Sequence, residues 1–444
     1  VKVRKVIRYK CYTFEGGAAV NSSDPERVGT LIVGASQAGL QVATSLRELG
    51  ATDPITLIGG EARPPYQRPP LSKRFLQGDL PEDRLALRGE GFYASNAIEL
   101  ICGEWVETIR LTDPVTGSGE ALTRGGRRLA FTGLALTVGG TPRRMRVPGH
   151  GLAGIHYLRD VDDALALRHD LEAAERVVVV GGGFVGLEAA AAARAAGKDV
   201  TVVEAADRLM ARAVAPAVSG FYAEAHRRRG TAVRLGATVT AFTGDEHVQG
   251  VEVSDGATLP ADVVVVGIGL EPRTELAEQL GLRVDRGIVV DADARTSNPA
   301  IVAAGDCTVL PHPLTRQGQV RIESVQNAVS QAQVAAASLL GLSRETRSVP
   351  WFWSDQADLK LQIAGLSAGY DYCVVRGDPA TEQFSVFYYK TGRLIASDSV
   401  NAPRDYMVVR KVLGDGGTLP PDRVGDELVS LKDLMSPSTS TAVA

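Results

Sequence analysis

The chain has 444 residues, 44% of them hydrophobic and 23% charged. At roughly 150 residues per domain that is enough for about three domains, and the balance excludes wholesale disorder. A formal charge of −4 argues against a dedicated nucleic-acid binder, and no apolar run approaches the ~18 residues of a membrane-spanning helix. The 48 glycines point to the tight turns and ligand loops of α/β nucleotide-binding folds. Cys11, Cys102, Cys307 and Cys373 are far apart, so no disulfide scaffold, local redox pair or cysteine metal site is expected. The six histidines form no HxxxH or triad-like set, which leaves metal catalysis without support.

Residues 1–27 read as a leader, basic at Lys2, Arg4, Lys5, Arg8 and Lys10 but without the apolar core of a secretory signal; a cytoplasmic location is expected. Residues 28–33 predict a buried strand, 37–50 a helix and 55–58 the next strand. A stiff loop, ARPPYQRPPLSK, follows at 62–73, and a strand closes in VGG near 132–140. The strand–glycine–helix–strand unit then recurs at 176–180, 181–186, 187–196 and 200–204. A strand at 263–266 leads through Asp- and Gly-rich loops to a helix at 325–340. The last hundred residues change character, with short antiparallel strands at 351–353, 359–363, 372–376, 384–389 and 394–400, a helix at 403–413 and a tail from 436. Arg143-Arg144 and 227–229 read as solvated faces.

Two such units in one chain indicate two dinucleotide sites. In VVVVGGGFVGLEAA, Gly181 permits the tight turn, Gly183 lets backbone approach a pyrophosphate, and Gly186 lets helix pack closely on strand. Glu204 ends the following strand, where a carboxylate accepts both ribose hydroxyls of NADH and repels a 2′-phosphate. The first unit, LIVGASQAG, keeps Gly34 and Gly39 but has Ser36 at the middle position. Its second strand runs into Gly59-Gly60 before reaching Glu61. IVAAGDC at 301–307 ends in Gly305-Asp306, where an aspartate suits a polyol chain or simply closes a turn.

Taken together with YQRPPLSK at 66–73, YLRDVDDA at 157–164, RIESVQNA at 321–328 and PWFWSDQ at 350–356, these pieces run in order over most of the chain. The chain resembles the FAD-dependent NADH:ferredoxin reductases of oxygenase systems, the putidaredoxin reductase-like family. The resemblance implies an α/β, glutathione-reductase-like fold of two Rossmann-like dinucleotide-binding domains plus a C-terminal α+β domain. The FAD-binding domain would take 28–138 and 268–342, the NADH-binding domain 139–267 and the C-terminal domain 343–435, with 436–444 a tail.

It further implies FAD contacts at Ala38, Lys73, Val106, Arg159, Asp306 and Val325, beside Gly34, Ser36, Gly39, Gly60 and Glu61. NADH would fall to Gly181, Gly183, Gly186, Glu204 and Gly269. Catalytic roles fall on Lys73, a cation for the reduced flavin, on Glu188, its partner, and on Trp353 near the flavin; a first-turn helix acid remains the alternative for Glu188, and a core tryptophan that for Trp353. Three positions depart from the pattern: Ser36, Gly60, where the family has aspartate, and Val138 in the TVGG strand end. The implied reaction passes electrons from NADH through FAD to a 2Fe–2S ferredoxin serving a Rieske-type or haem-thiolate oxygenase. A rubredoxin reductase or NADH oxidase on the same fold is the first alternative. A flavin-poor NADH-binding signalling protein is the second.

Overall fold

The computed structural model describes residues 24–315, 318–344 and 348–435. The tail at 436–444, Cys11 and the leader up to residue 23 lie outside them. The chain divides into two compact units: residues up to Gln67 with Ala86–Gly140 and Pro272–Ser348, and Arg68–Leu85 with Thr141–Glu271 and the part from Val349 onward.

The first unit is built on a seven-stranded sheet. Glu26–Val33 lies parallel between Ile55–Gly59 and Arg128–Leu136, with Ile98–Cys102 parallel outside the former and Ile301–Ala303 parallel to the latter. Successive residues of the central strands bury opposite faces. Leu31, Val33, Ile58 and Leu134 meet Leu276, Ile288 and Val290, while Ile32, Leu57 and Ala135 meet Leu40, Val42 and Leu46 of the helix Gln37–Glu48 and Ala332 and Ala335 of the helix Val325–Leu339. Such two-sided burial is why these strands read as continuous apolar runs. The helix from Gln37 stops at Glu48, with Gly50 in left-handed backbone at φ +89°. The antiparallel strands Val106–Asp113 and Ser118–Thr123 extend the sheet without a clean sequence alternation, because bulges at 106–108 and 111–113 shift the register.

The second unit holds a five-stranded parallel sheet, in the order Thr231–Leu235, Asp199–Glu204, Arg176–Val180, Val263–Val266 and Ile155–His156. The helices Phe184–Ala195 and Pro216–Arg228 cover one face, and an antiparallel sheet begun by Val239–Gly244 and Val248–Val253 covers the other. A second, antiparallel sheet follows in the order Trp351–Gln356, Leu359–Gly365, Arg393–Val400, Gln383–Lys390 and Tyr372–Asp378, ahead of the helix Pro403–Gly414. Both sheets share one core, in which Val179, Leu187, Val202 and Tyr222 pack in a cluster with Leu361, Phe384, Val386 and Tyr388.

Two surface readings change. Arg229 is not a solvated arginine but an ion-pair hub, 2.7 Å from Asp358 and 2.6 Å from Glu382, and Arg228 reaches Glu382 at 2.8 Å. Arg144 stacks over the Tyr157 ring at 4.2 Å. Both guanidiniums trade full hydration for planar partners that suit them.

Candidate functional site

In the second unit the turn from Val180 to Phe184 is shaped for a ligand. Gly181 sits at φ +105°, and a Cβ there would press within 2.5 Å of the Gly267 carbonyl oxygen. Gly183 differs. Its φ of −83° suits any residue, and the nearest atom to a Cβ there is 3.9 Å away. Neither backbone conformation nor packing demands glycine at 183, so the open room above the helix N-terminus fits a diphosphate. Gly186 lies against Gly181, whose carbonyl would be struck by any side chain.

Glu204 is held beside this loop. Its Oε2 accepts the Gly182 N–H at 2.6 Å and its Oε1 the Ala206 N–H at 2.7 Å. Each oxygen keeps lone-pair capacity for one hydroxyl of a ribose diol. Arg208, the nearest arginine in sequence, is occupied, donating to the Val214 carbonyl at 2.7 Å, the Ala211 carbonyl at 2.5 Å and Ser219 Oγ at 2.9 Å. Gly269 closes the strand Val263–Val266 side at φ +114°, with Arg212 Nη2 3.5 Å from its Cβ position.

Lys73 and Glu188 meet. The short 3₁₀ turn Pro69–Ser72, with two prolines fixing its start, delivers Ser72 and Lys73 to Glu188 Oε2 at 2.5 and 2.7 Å, and Ser354 Oγ donates to Oε1 at 2.6 Å. Glu188 is only 3% exposed. The helix begins at Phe184, so Glu188 stands a full turn in, beyond the first-turn positions where the macrodipole would explain it. Removing one partner of such a buried pair leaves an uncompensated charge and costs about 3–5 kcal/mol. Trp353 is placed differently. Strand alternation puts it with Trp351, centroids 5.5 Å apart, on the face opposite Ser354 and Gln356. Arg159 precedes a capping box in which Asp160 Oδ1 accepts the Asp163 N–H at 2.9 Å and Asp163 Oδ2 the Asp160 N–H at 3.2 Å; the Arg159 N–H also donates to Asp163 Oδ2 at 2.8 Å, and the Arg159 carbonyl accepts from Arg68 Nη1 at 2.9 Å.

In the first unit the glycine turn and its neighbours converge. Gly34, at φ +115°, crosses Thr137, and Gly39 leaves room for the Gly34 carbonyl. Ser36 occupies the place that Gly183 holds in the other unit, as N-cap of its helix with φ −135°. A Cβ added to Gly305, at φ +88°, would lie 3.1 Å from the Ala38 Cβ, so the turn that carries Asp306 packs against the head of that helix. Gln331 fixes this turn, accepting from the Gly305 N–H and the Thr308 hydroxyl at 2.9 Å each. Val325 opens its helix behind the N-cap Ser324. The two helix N-termini and the bare turn form a cradle suited to a second dinucleotide.

Gly60 is explained by a neighbour. It is not in left-handed backbone, yet a Cβ there would fall inside the indole of Trp105. Trp105, next to Val106, is 37% exposed and lies under the Arg273 guanidinium at 4.7 Å. The aspartate expected from the resemblance has no room. Glu61 beside it accepts the Tyr66 hydroxyl. Val138 is packed against the core formed by Leu31, Val33 and Leu134. Cys307 and Cys373 form no disulfide, and burial pushes the Cys307 thiol up to about 12. Ser72, Ser354 and Gln356 were not singled out from the sequence; the i, i+2 spacing of the last two in WFWSDQ was the signal that they share a strand face.

Residues 29–332 match the pyridine nucleotide-disulphide oxidoreductase family and 351–435 the reductase C-terminal family. Rhodocoxin reductase of Rhodococcus erythropolis is 45% identical, covering 90% of this chain and 93% of its own. A rubredoxin-NAD(+) reductase of Pseudomonas putida is 39% identical, covering 84% and 96%. Among solved structures, the covalent putidaredoxin reductase–putidaredoxin complex superposes with a TM-score of 0.86 at 39% identity, covering 92% and 98%.

Proposed function

The chain belongs to the pyridine nucleotide-disulphide oxidoreductase family, as one of its ferredoxin reductases, and on that premise we propose how its residues work. It is an FAD-dependent NADH:ferredoxin oxidoreductase of an oxygenase system, Rieske-type or haem-thiolate. When bound, FAD supplies the conversion from hydride to single electrons, which a 2Fe–2S ferredoxin carries away.

In the first unit Gly34, Ser36, Ala38, Gly39, Glu61, Val106, Asp306 and Val325 would hold FAD, with the bare turn on its diphosphate and Asp306 on its polyol chain. In the second, Gly181, Gly183 and Gly186 take the NADH diphosphate, Glu204 reads the adenosine ribose, and Gly269 keeps the opposite wall bare. Lys73 and Glu188 act at hydride transfer. Glu188 is fixed in one rotamer by three donors, and Lys73 would place its Nζ cation where negative charge builds up. Trp353, on the strand face opposite Ser354, would approach the flavin from the C-terminal sheet. The protein works in the cytoplasm, where NADH is at hand; among the described residues no helix is long and apolar enough to cross a membrane.

The observation that carries this reading is two glycine turns of the same kind in one chain, Gly34 at φ +115° and Gly181 at φ +105°, beside the buried ion pair of Lys73 and Glu188. The test is a panel of purified 2Fe–2S ferredoxins and rubredoxins scored for NADH-driven reduction. A ferredoxin should be reduced fastest. The rubredoxin reductase relative makes a rubredoxin the second reading, and preferential rubredoxin reduction would replace the first.

A further inference from the structure

A buried chain of hydrogen bonds leads away from Glu188. Ser354 Oγ donates to Glu188 Oε1 at 2.6 Å. Gln356 Nε2 reaches the same Ser354 Oγ at 3.2 Å, and Gln356 Oε1 meets His226 Nε2 at 2.8 Å. All four side chains are buried: Glu188, Ser354, Gln356 and His226 are at most 4% exposed. They come from the NADH-side helices Phe184–Ala195 and Pro216–Arg228 and from the strand Trp351–Gln356 between them in the chain of bonds.

The direction of every hydrogen is fixed. A carboxylate only accepts, so the single Ser354 proton points at Glu188. The Ser354 lone pair is then what the Gln356 amide hydrogen meets, which turns the amide oxygen toward His226. His226 must carry its hydrogen on Nε2. Burial lowers the His226 pKa, with the Gln356 bond opposing, and the neutral Nε2–H tautomer already completes the chain. The Gln356 amide also lies 3.7 Å from Met210 Sδ, and the Met210 N–H donates to the Gly182 carbonyl at 2.8 Å. One side chain therefore touches both the support of Glu188 and the segment that closes on the diphosphate turn.

We infer that Ser354, Gln356 and His226 are positioning residues for hydride transfer: a one-way donor chain that holds Glu188 as an acceptor in a single orientation. This rests on the role given to Glu188 above. A polar string needed only for packing would do as well with apolar side chains of the same shape. A string needed for Glu188 would not.

The experiment uses the FAD-loaded enzyme in single-turnover stopped flow, following flavin bleaching on mixing with NADH and with 4-deuterated NADH. Ser354→Ala removes the donor without crowding, Gln356→Met removes both amide groups at similar shape, and Gln356→Glu reverses the polarity, drawing the Ser354 proton away from Glu188. Glu188→Gln tests the underlying reading. The limiting reduction rate should fall on the order of tenfold in Ser354→Ala and at least as far in Gln356→Glu. The deuterium effect should persist, FAD should be retained and the half-saturating NADH concentration should stay within about twofold. Gln356→Met should fall between wild type and Ser354→Ala. Melting temperatures separate folding losses from rate losses, since a packing role would move only the former. Wild-type reduction rates in Ser354→Ala and Gln356→Glu, with Glu188→Gln slow, would overturn the inference alone. A wild-type rate in Glu188→Gln would overturn the reading beneath it as well.

Discussion

The indole of Trp105 fills the space into which any side chain at position 60 would have to grow. The two residues are therefore a matched pair, and the loss of an acid at 60 is tied to the tryptophan rather than to the backbone. Gly60→Ala should displace the indole from beneath Arg273 and cost roughly 1–3 kcal/mol. Trp105→Ala should make that substitution nearly silent. Thermal melts of the two single variants and the double variant check this; additive losses, with a coupling below about 0.5 kcal/mol, would sink the pairing.

Ser36 stands where the second unit has Gly183, a position whose side-chain direction is open and ready for a diphosphate. Ser36→Gly is expected to tighten FAD binding to the apo-protein or leave it unchanged, read by quenching of flavin fluorescence. Weaker binding would mean that the hydroxyl itself holds the diphosphate.

Glu204 is expected to confer a preference for NADH. Its two oxygens accept backbone N–H groups of Gly182 and Ala206 and would accept a ribose diol on their remaining lone pairs, whereas a 2′-phosphate would meet the same charge at close range. Arg208 offers no relief, being bound to two carbonyls and a hydroxyl. The ratio of kcat/KM for NADH over NADPH should be on the order of tenfold to a thousandfold, and Glu204→Ala should erode it mainly through a higher KM for NADH. Equal kcat/KM for NADH and NADPH in the unaltered enzyme would show that Glu204 does not read the ribose.

Asp398 lies fully buried on the strand Arg393–Val400, accepting the Tyr388 hydroxyl. Burial pushes its carboxyl up to about 7, with the Tyr388 bond opposing. The folded protein thus keeps a proton that the unfolded chain releases near pH 4, so stability falls as pH rises from there to about 7 and levels off above it. Asp398→Asn should be more stable than wild type at pH 8 by roughly 2–4 kcal/mol, with the gap closing toward pH 4. Denaturant melts across that range test it, and a gap independent of pH would refute it.

Much of this was legible in the chain itself. The central strands and both glycine turns were readable because buried parallel strands are continuously apolar and their turns need glycine for stated reasons. The helix Phe184–Ala195 begins three residues earlier than its alanine run suggests, since Gly183 itself is the N-cap. The strands Val106–Asp113 and Ser118–Thr123 went unread because bulges break their alternation. Ser72, Ser354 and Gln356 gave little signal, since a hydroxyl or amide becomes a site residue only through the long-range pairing that brings it to Glu188. Trp105 was silent for the same reason: its significance lies in the missing side chain of a glycine 45 positions away.

The core shared by the parallel sheet and the C-terminal sheet bears on how such enzymes can be recombined. Residues 349–435 look like an interchangeable module, since they form their own antiparallel sheet and are separated from the segment Thr141–Glu271 by some eighty residues of other structure. Their inner face is nevertheless moulded to Tyr222 and Leu187, and Arg229 ties Glu382 to Asp358 from the neighbouring helix. A graft that imports the C-terminal sheet alone would marry one lineage's knobs to another's holes and break the ion pairs of Arg228 and Arg229 with Asp358 and Glu382. The heritable block is the pair, and crossovers that respect it fall on either side of residues 141–271 and 349–435 together.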